Sequence, residues 1–361
     1  MKITFLLPYA GMAGGIRVIA IYTNLLVKAG HDVQVISVSR SPLSLKDSVR
    51  RWLKGERVLP GQQKQGPSHM ENINSLRWSV IEKNGPLIDA DVPDSDVLIA
   101  TWWKTAEWLN GLNDKKGRKV YFCQGYETSQ IFSIDRVQAT YRLPFFQICV
   151  SSWVKRMLYE LTGQDNQEVV MNGVDTVQFF DGERSKNSIP KFGFVFSEAN
   201  CKGNDIIIGA LIKAKKIEPS ISAICFGARF PSLSQGLPNW IEFYHNPTQN
   251  HIREIYAQCD AWLFGSRAEG FGLPILEAMA CGTPVIATPA GAAPDLVNEK
   301  NGFLVGHEDS QIMADKMIQI GKLSNDQWKL LSSGARRTSV DHSWDLAAES
   351  FEKILFRMVE S

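Results

Sequence analysis

The 361-residue sequence predicts an α/β protein of two similar halves, each a parallel sheet covered by helices. Three observations carry that expectation. At about 150 residues per domain, the length fits two. Short apolar runs alternate with helix-length amphipathic segments, the pattern of a parallel sheet covered by helices. The alternation also occurs twice, on either side of DGERSKNSIPK (181–191), which is polar and broken by proline as an interdomain linker would be. The predicted division is residues 1–183, residues 184–342 and a terminal helix over 343–361.

The first series opens on KITFLL (2–7), a buried strand, followed by the glycine turn Gly11–Gly15. Ile16, Ile19, Ala20, Thr23, Leu26 and Val27 recur at helical spacing, Gly30 suits a C-cap, and VQVISV (33–38) is the next strand. Residues 40–70 interrupt the pattern as a basic insertion. They carry Arg40, Lys46, Arg50, Arg51, Lys54, Arg57 and Lys64 against Asp47 and Glu56, with a short amphipathic helix expected around Leu45–Leu53. Strands follow at VLIA (97–100), KVYFC (119–123) and QICV (147–150), then a helix from SSWVKRML. The second series has strands near 192–196, 222–226, 261–265, 284–288 and 303–305, and helices over 205–215, 249–258, 274–281 and 309–321. In the tail, Trp344, Ala347, Ala348, Phe351, Ile354, Leu355 and Met358 share one helix face.

Composition narrows the function classes. Hydrophobic residues make up 44% and charged residues 21%, which is ordinary globular usage. Thirty-nine basic residues against 38 acidic ones leave a net charge of +1, so a broadly cationic nucleic-acid binder is not expected. The six cysteines form no CxxC pair and read as small buried hydrophobes of a reducing compartment. No apolar run approaches 18 residues, and Pro8 closes the short apolar start, so the expected location is cytoplasmic. The glycine turn does not fit GxGxxG and no acid closes strand 33–38, which argues against a dinucleotide cofactor. No histidine has metal-ligand spacing; neither a metal nor another cofactor is expected.

The most informative stretch is SRAEGFGLPILEAMACGTPVIATPAGAAP (266–294). It follows a buried strand, Pro274 suits the first turn of a helix, and Gly282 can end that helix. Gly270, Phe271, Gly272 and Leu273 then lie at a helix N-terminus beyond the carboxyl end of a strand. Backbone N–H groups and the helix dipole favour a diphosphate there, and the glycines allow close approach. Glu269 falls on the loop and Glu277 inside the helix, where a carboxylate can accept hydrogen bonds from vicinal ribose hydroxyls. Taken alone, the same residues also fit a plain glycine turn with two surface glutamates.

EGFGLPILEAMACGTPVIAT resembles the E-x7-E signature of retaining glycosyltransferases, family 4 of the sequence-based classification. Further segments are similar to the same family in order: AGGIRV (13–18), SSWVKRML with VVMNGVDTVQFF, the turn Lys202-Gly203-Asn204-Asp205, NGFLV (301–305) and the tryptophan-bearing terminal helix. The resemblance implies the GT-B architecture, two Rossmann-like domains facing across a cleft. The nucleotide-sugar donor would lie on the C-terminal domain, the acceptor on the N-terminal one, and the terminal helix would pack back on the first domain. It further implies that Glu277 holds the donor ribose, that Glu269 contacts the sugar hydroxyls and that Gly270–Leu273 supply amides. Lys202 would neutralise the diphosphate, and Gly14 and Gly15 would close over phosphate and sugar. The implied reaction transfers a sugar, with retention and without a metal, to a glycan or lipid-linked hydroxyl in cell-surface polysaccharide or glycoconjugate synthesis. A nucleotide-sugar epimerase and a non-catalytic nucleotide-sugar-binding protein are the alternatives.

Two departures stand out. Many relatives carry an arginine shortly before the lysine of the KG turn. FVFSEANCK (194–202) has none, which leaves Arg267 and Arg229 as candidates for a second positive charge. Many relatives also carry a histidine where this chain has Gln124, which can donate a hydrogen bond but cannot shuttle a proton at neutral pH. QGYE (124–127) is similar to a rhamnosyltransferase-like subset. Trp102, Trp103 and Glu127 are acceptor-side candidates, with packing of a helix on the sheet as the alternative for the tryptophans. Arg50, Arg51 and Trp52 would suit peripheral contact of residues 40–57 with anionic lipid, or simply a solvated loop. Asp89-Ala-Asp91 and Asp94-Ser-Asp96 have DxD spacing but precede the strand VLIA and read as a loop.

Overall fold

The computed structural model describes residues 1–39, 67–71, 73, 75–83, 85–127, 133–180, 182–231 and 236–360. The basic segment 40–66, with its expected helix and lipid contact, lies outside the described residues. The chain divides into two compact units. The first comprises Met1–Ile148, Leu158–Glu168 and Ala348–Ser361, and the second Cys149–Met157 and Val169–Ala347. Residues 149–157 and 169–183, assigned from sequence to the first domain, therefore group with the second unit. One reason is visible in the packing. Gly173 lies so close to the Ser343–Trp344 backbone that a Cβ there would collide with it, and the Val174 N–H donates to the His342 carbonyl at 3.0 Å.

In the first unit the strands are β1 (Lys2–Leu7), β2 (Asp32–Val38), β3 (Arg77–Ile81), β4 (Val97–Ala100), β5 (Arg118–Cys123), β6 (Phe146–Cys149) and β7 (Gln167–Val169). They form one sheet in the order β3-β2-β1-β4-β5-β6-β7, with β1 parallel to both β2 and β4. Two strand runs leave β1 in opposite directions, so the carboxyl ends of β1 and β4 border a topological switch point, where open α/β sheets place their ligands. The helix Gly14–Lys28 follows β1 as the spacing predicts, burying Ile16, Ile19, Ala20, Thr23 and Leu26. Phe351 of the terminal helix Trp344–Glu360 is fully buried, with ring centroids 4.9 Å from Tyr22, 5.2 Å from Phe122 and 6.3 Å from Phe5. The predicted apolar face of the tail thus closes the core of the first unit.

The second unit holds β8 (Lys191–Val195), β9 (Ser222–Gly227), β10 (Ile241–His245), β11 (Ala261–Phe264), β12 (Val285–Ala287) and β13 (Gly302–Leu304). Their order is β10-β9-β8-β11-β12-β13, and every neighbouring pair is parallel. Here the switch point falls between β8 and β11. Helices Asn204–Ile217, Gln249–Ala257, Leu273–Ala280 and Ser310–Gly321 match the predicted four within two residues at each end. Phe192, Phe194, Leu263, Ile286, Met317 and Trp328 belong to the buried core beneath them.

Five of the six cysteines are buried, as expected of small hydrophobes; Cys201 is exposed. The two aspartate pairs serve structure. Asp91 pairs with Lys83 and caps the Ile88 N–H, Asp89 accepts from the Asn113 N–H, Asp94 pairs with Lys116, and Asp96 accepts from the Lys2 N–H. Among the described residues no helix is long and apolar enough to cross a membrane, and no cluster of three or more His, Cys, Asp or Glu could hold a metal ion.

Candidate active site

Two loops meet at the switch point of the second unit. The first leaves β8 through Ser197, whose N–H donates to Asn204 Oδ1 at 2.7 Å, while Asn204 Nδ2 donates to the Val195 carbonyl at 3.1 Å. It then forms the tight turn Asn200–Lys202 and enters the helix Asn204–Ile217 through Gly203 at φ +59°. A Cβ at Gly203 would collide with the carbonyl oxygen of Gly265 in the second loop. Only glycine meets both demands, the left-handed φ and the close approach. The second loop leaves β11. Its Arg267 N–H donates to the Cys201 carbonyl at 2.8 Å, and Thr288 Oγ1 anchors it by donating to the Ser266 carbonyl at 2.6 Å.

This stitching brings Lys202 and Glu269 together: the ammonium pairs with Glu269 Oε2. The chain then runs through Gly270, whose carbonyl accepts from Ser151 Oγ at 2.7 Å, and Phe271, whose carbonyl accepts from the Ala292 N–H at 2.8 Å. Gly272 caps the helix Leu273–Ala280 at φ +93°, with Pro274 in the first turn as predicted. Pro274 has no N–H and the Ile275 N–H donates to the Gly272 carbonyl at 3.0 Å, so this N-terminus offers mainly its positive dipole end, with donors coming from the preceding loop. Gly282, at φ +70°, ends the same helix. Glu277 is buried at 7% exposure, and its Oε2 accepts from the Tyr256 hydroxyl at 2.9 Å. Tyr256 and Ser151 were not identified as partners from sequence. Tyr256 reaches the site from the helix Gln249–Ala257, and no local pattern marks it.

Arg267 behaves differently from a lone cation. Its guanidinium pairs with Asp205 and Glu308 and donates to the Asn200 carbonyl at 2.8 Å. Hydrogen bonds donated to Glu308, then to Asp205, hold its pKa above the ordinary value, and Arg267 in turn lowers both carboxyls. Arg229, the other candidate, is exposed beyond β9.

In the first unit the switch point opens into a cavity of about 240 Å³. Pro8 and Tyr9 line it after β1, Thr101 and Trp102 after β4, and Gln124, Gly125 and Glu127 after β5, with Gly15 and Ile16 from the first helix. Gly15 and Gln124 are adjacent: a Cβ on Gly15 would sit 3.4 Å from Gln124 Oε1. Gly14 begins the helix beside it. Trp102 lines the cavity, whereas Trp103 is 2% exposed and belongs to the core. Glu127 Oε2 accepts from the Trp103 N–H at 3.3 Å. Burial pushes the Glu127 carboxyl up to about 8, against the lowering effect of that N–H.

Two parallel α/β sheets, each with its loops gathered at a switch point, are the architecture of the GT-B fold, which the structural match below supports. Residues 190–322 match the family model described as Glycosyl transferases group 1. Among curated proteins, the chain is 32% identical over 171 residues to the lipopolysaccharide core biosynthesis mannosyltransferase LpsB of Rhizobium meliloti, covering 41% of this chain and 48% of that one. It is 28% identical over 210 residues to the D-inositol 3-phosphate glycosyltransferase of Salinispora arenicola, covering 49% and 46%. The chain thus spans about half the length of these curated relatives. The whole fold matches the crystal structure of Anabaena HepE in complex with UDP, with a TM-score of 0.73, 20% identity and coverage of 99% of this chain and 100% of that one.

Proposed function

We propose that this chain is a retaining, metal-independent glycosyltransferase of family 4. It moves a sugar from a nucleoside-diphosphate sugar to a hydroxyl of a glycan or lipid-linked acceptor, in cell-surface polysaccharide or glycoconjugate synthesis. The observation that carries the reading is the convergence of Lys202, Glu269 and the N-terminus of helix Leu273–Ala280 at the carboxyl ends of β8 and β11, with Glu277 buried inside that helix. The group 1 match over residues 190–322 and the glycosyltransferase names of the relatives support it.

Breaking a glycosyl–phosphate bond leaves negative charge on the diphosphate and positive charge on the sugar. In this reading Lys202 and the amides of Gly270, Phe271, Gly272 and Leu273 are aimed at the developing negative charge, which is where preorganised donors lower a barrier. They supply that stabilisation without a bound cation. Glu277 accepts from the donor ribose, Glu269 contacts the sugar hydroxyls, and the cavity of Gly15, Trp102, Gln124 and Glu127 takes a sugar ring. The QGYE pattern (124–127) supports a donor like that of the rhamnosyltransferase-like subset. The enzyme works in the cytoplasm on an acceptor held at the membrane's inner face, near the basic residues 40–57 of the sequence.

The test is a thermal-shift screen of uridine, guanosine and thymidine diphosphate sugars, since a ligand that binds the native state raises its melting temperature. Transfer assays with the stabilising donor follow, and NMR of the product reads the anomeric configuration. Failure of every nucleotide sugar to stabilise the chain refutes the reading. An inverted anomer refutes retention, and an epimer formed from donor alone assigns the epimerase.

A further inference from the structure

We propose that Arg267 is a positioning residue that fixes Lys202, and that Asp205 and Glu308 withhold it from direct contact with the diphosphate. The proposal rests on the reading of Lys202 as the diphosphate cation given above.

The donor count of Arg267 comes first. A guanidinium has five N–H donors in a planar fork. The Nε proton is taken by Glu308 Oε1. The two Nη2 protons go to Asp205 Oδ2 at 2.7 Å and Glu308 Oε2 at 2.8 Å. The two Nη1 protons are shared among the Asn200 carbonyl at 2.8 Å, Asp205 Oδ1 at 2.9 Å and Asn200 Oδ1 at 3.0 Å. Every donor has an acceptor, and both carboxylates are bound bidentately, the strongest form of the pair. One cation facing two carboxylates leaves the cluster with a net charge of −1, which repels an anion.

The anchor points of Arg267 bracket Lys202 in sequence. Asn200 and, through the Arg267 backbone N–H, Cys201 precede it, and Asp205 follows in the first turn of the next helix. Glu269, the partner of Lys202, lies two residues beyond Arg267 on the same loop. Arg267 thereby ties the lysine turn to the glycine loop at a fixed separation. The guanidinium side chain is 22% exposed, while Asp205 and Glu308 are 66% and 59% exposed, so the cation sits inside a carboxylate rim. Glu308 reaches it from a φ of +60°, a left-handed conformation that costs a non-glycine residue stability. A strained residue persists where its surroundings over-determine it, and here the double contact with Arg267 does so.

The experiment is a double-mutant cycle on UDP affinity by calorimetry, with GDP run in parallel, using Arg267→Ala, Lys202→Gln and the double variant. Melting curves establish that each variant folds. If Arg267 acts through Lys202, Arg267→Ala weakens nucleotide binding about tenfold beside Lys202 and by no more than about threefold beside Gln at that position, the smaller loss being repulsion from the uncovered Asp205 and Glu308, because coupled residues are not additive. If Arg267 touches the diphosphate itself, the loss is equal in both backgrounds and the proposal is overturned. Where Arg267→Ala does not fold, Arg267→Lys serves: it keeps the charge, cannot span both carboxylates, and must show the same background dependence at smaller size. Unchanged affinity in Lys202→Gln overturns the underlying reading of the site, and the proposal falls with it.

Discussion

Replacing Glu277 with Gln tests the proposed donor site without changing its shape. The wild-type carboxylate is 7% exposed and accepts from the Tyr256 hydroxyl at 2.9 Å. Glutamine keeps an oxygen for Tyr256 but loses the charge. A hydrogen bond to a charged group contributes about 1.5–3 kcal/mol and a neutral one about 0.5–1.5, so the variant should lose about 1 kcal/mol of stability. At this domain size that lowers Tm by about 2–4 °C. If Glu277 holds the ribose as proposed, the effect on ligand is larger, because both vicinal hydroxyls then lose a charged acceptor. At about 1 kcal/mol each, the nucleoside diphosphate should bind roughly 10–30-fold more weakly. The sharper assay compares a ribonucleoside diphosphate with its 2′-deoxy form by calorimetry. The wild type should discriminate against the deoxy ligand by about tenfold, and Glu277→Gln by no more than about twofold. A discrimination ratio unchanged in the variant would refute the assignment of Glu277 to the ribose, whatever happens to Tm.

Gly272→Ala forces a side chain into φ +93° with its Cβ 2.9 Å from the Phe264 ring. A cost of about 1–2 kcal/mol from the backbone alone should lower Tm by several degrees and weaken nucleotide binding, and unaltered melting would show the glycine to be dispensable. Phe351→Ala removes a fully buried ring packed among Phe5, Tyr22 and Phe122 and should cost about 3–5 kcal/mol in denaturant unfolding; a loss below about 1 kcal/mol would mean that the terminal helix does not close that core. Glu127 is raised from 4.5 to about 8, so the native state holds its proton over a range in which the unfolded chain has released it. Its contribution is fully present below about pH 4.5 and is lost as pH rises through about 8. Glu127→Gln should therefore gain Tm relative to wild type between about pH 5 and about pH 9, and parallel Tm curves would show an unshifted carboxyl.

Strands with two covered faces were legible because burial on both sides demands a continuous apolar run. KITFLL, VLIA and AWLF are such runs, and β1, β4 and β11 fall on them. The three strands not predicted have other compositions. RWSVI (β3) and IEFYH (β10) are sheet edges with half-exposed, partly charged faces, and QEV (β7) has only three residues. The helix Asn325–Val340 was also missed. It buries Trp328, Ser332, Ala335 and Ser339, so its inward face is mostly small and polar; its local sign is the Ser324–Gln327 capping box. The site divides along the same line. Gly272, Pro274 and Gly282 are read locally because they mark the two ends of one helix. Tyr256 and Glu308 meet their partners across 21 and 41 residues, and only the strand order brings them there.

The pairing of Lys202 with Glu269 bears on how the proposed site would take up an anion. The two side chains are 40% and 20% exposed, and a pair so accessible to water contributes about 0–1 kcal/mol. A diphosphate meeting the same lysine together with amides of the glycine loop gains several charge-assisted hydrogen bonds, each stronger than a neutral one. In the proposed reading the exchange of carboxylate for diphosphate would therefore run toward the nucleotide, and it would release Glu269 to accept from sugar hydroxyls at the adjoining position. The bidentate pairs of Arg267 lie on the other side of this balance. Breaking them would strand two carboxylates beside an incoming anion, so the weak pair yields and the strong cluster stays. On that reasoning the one-lysine site needs no second mobile cation: it combines a cation that can exchange partners with one that cannot.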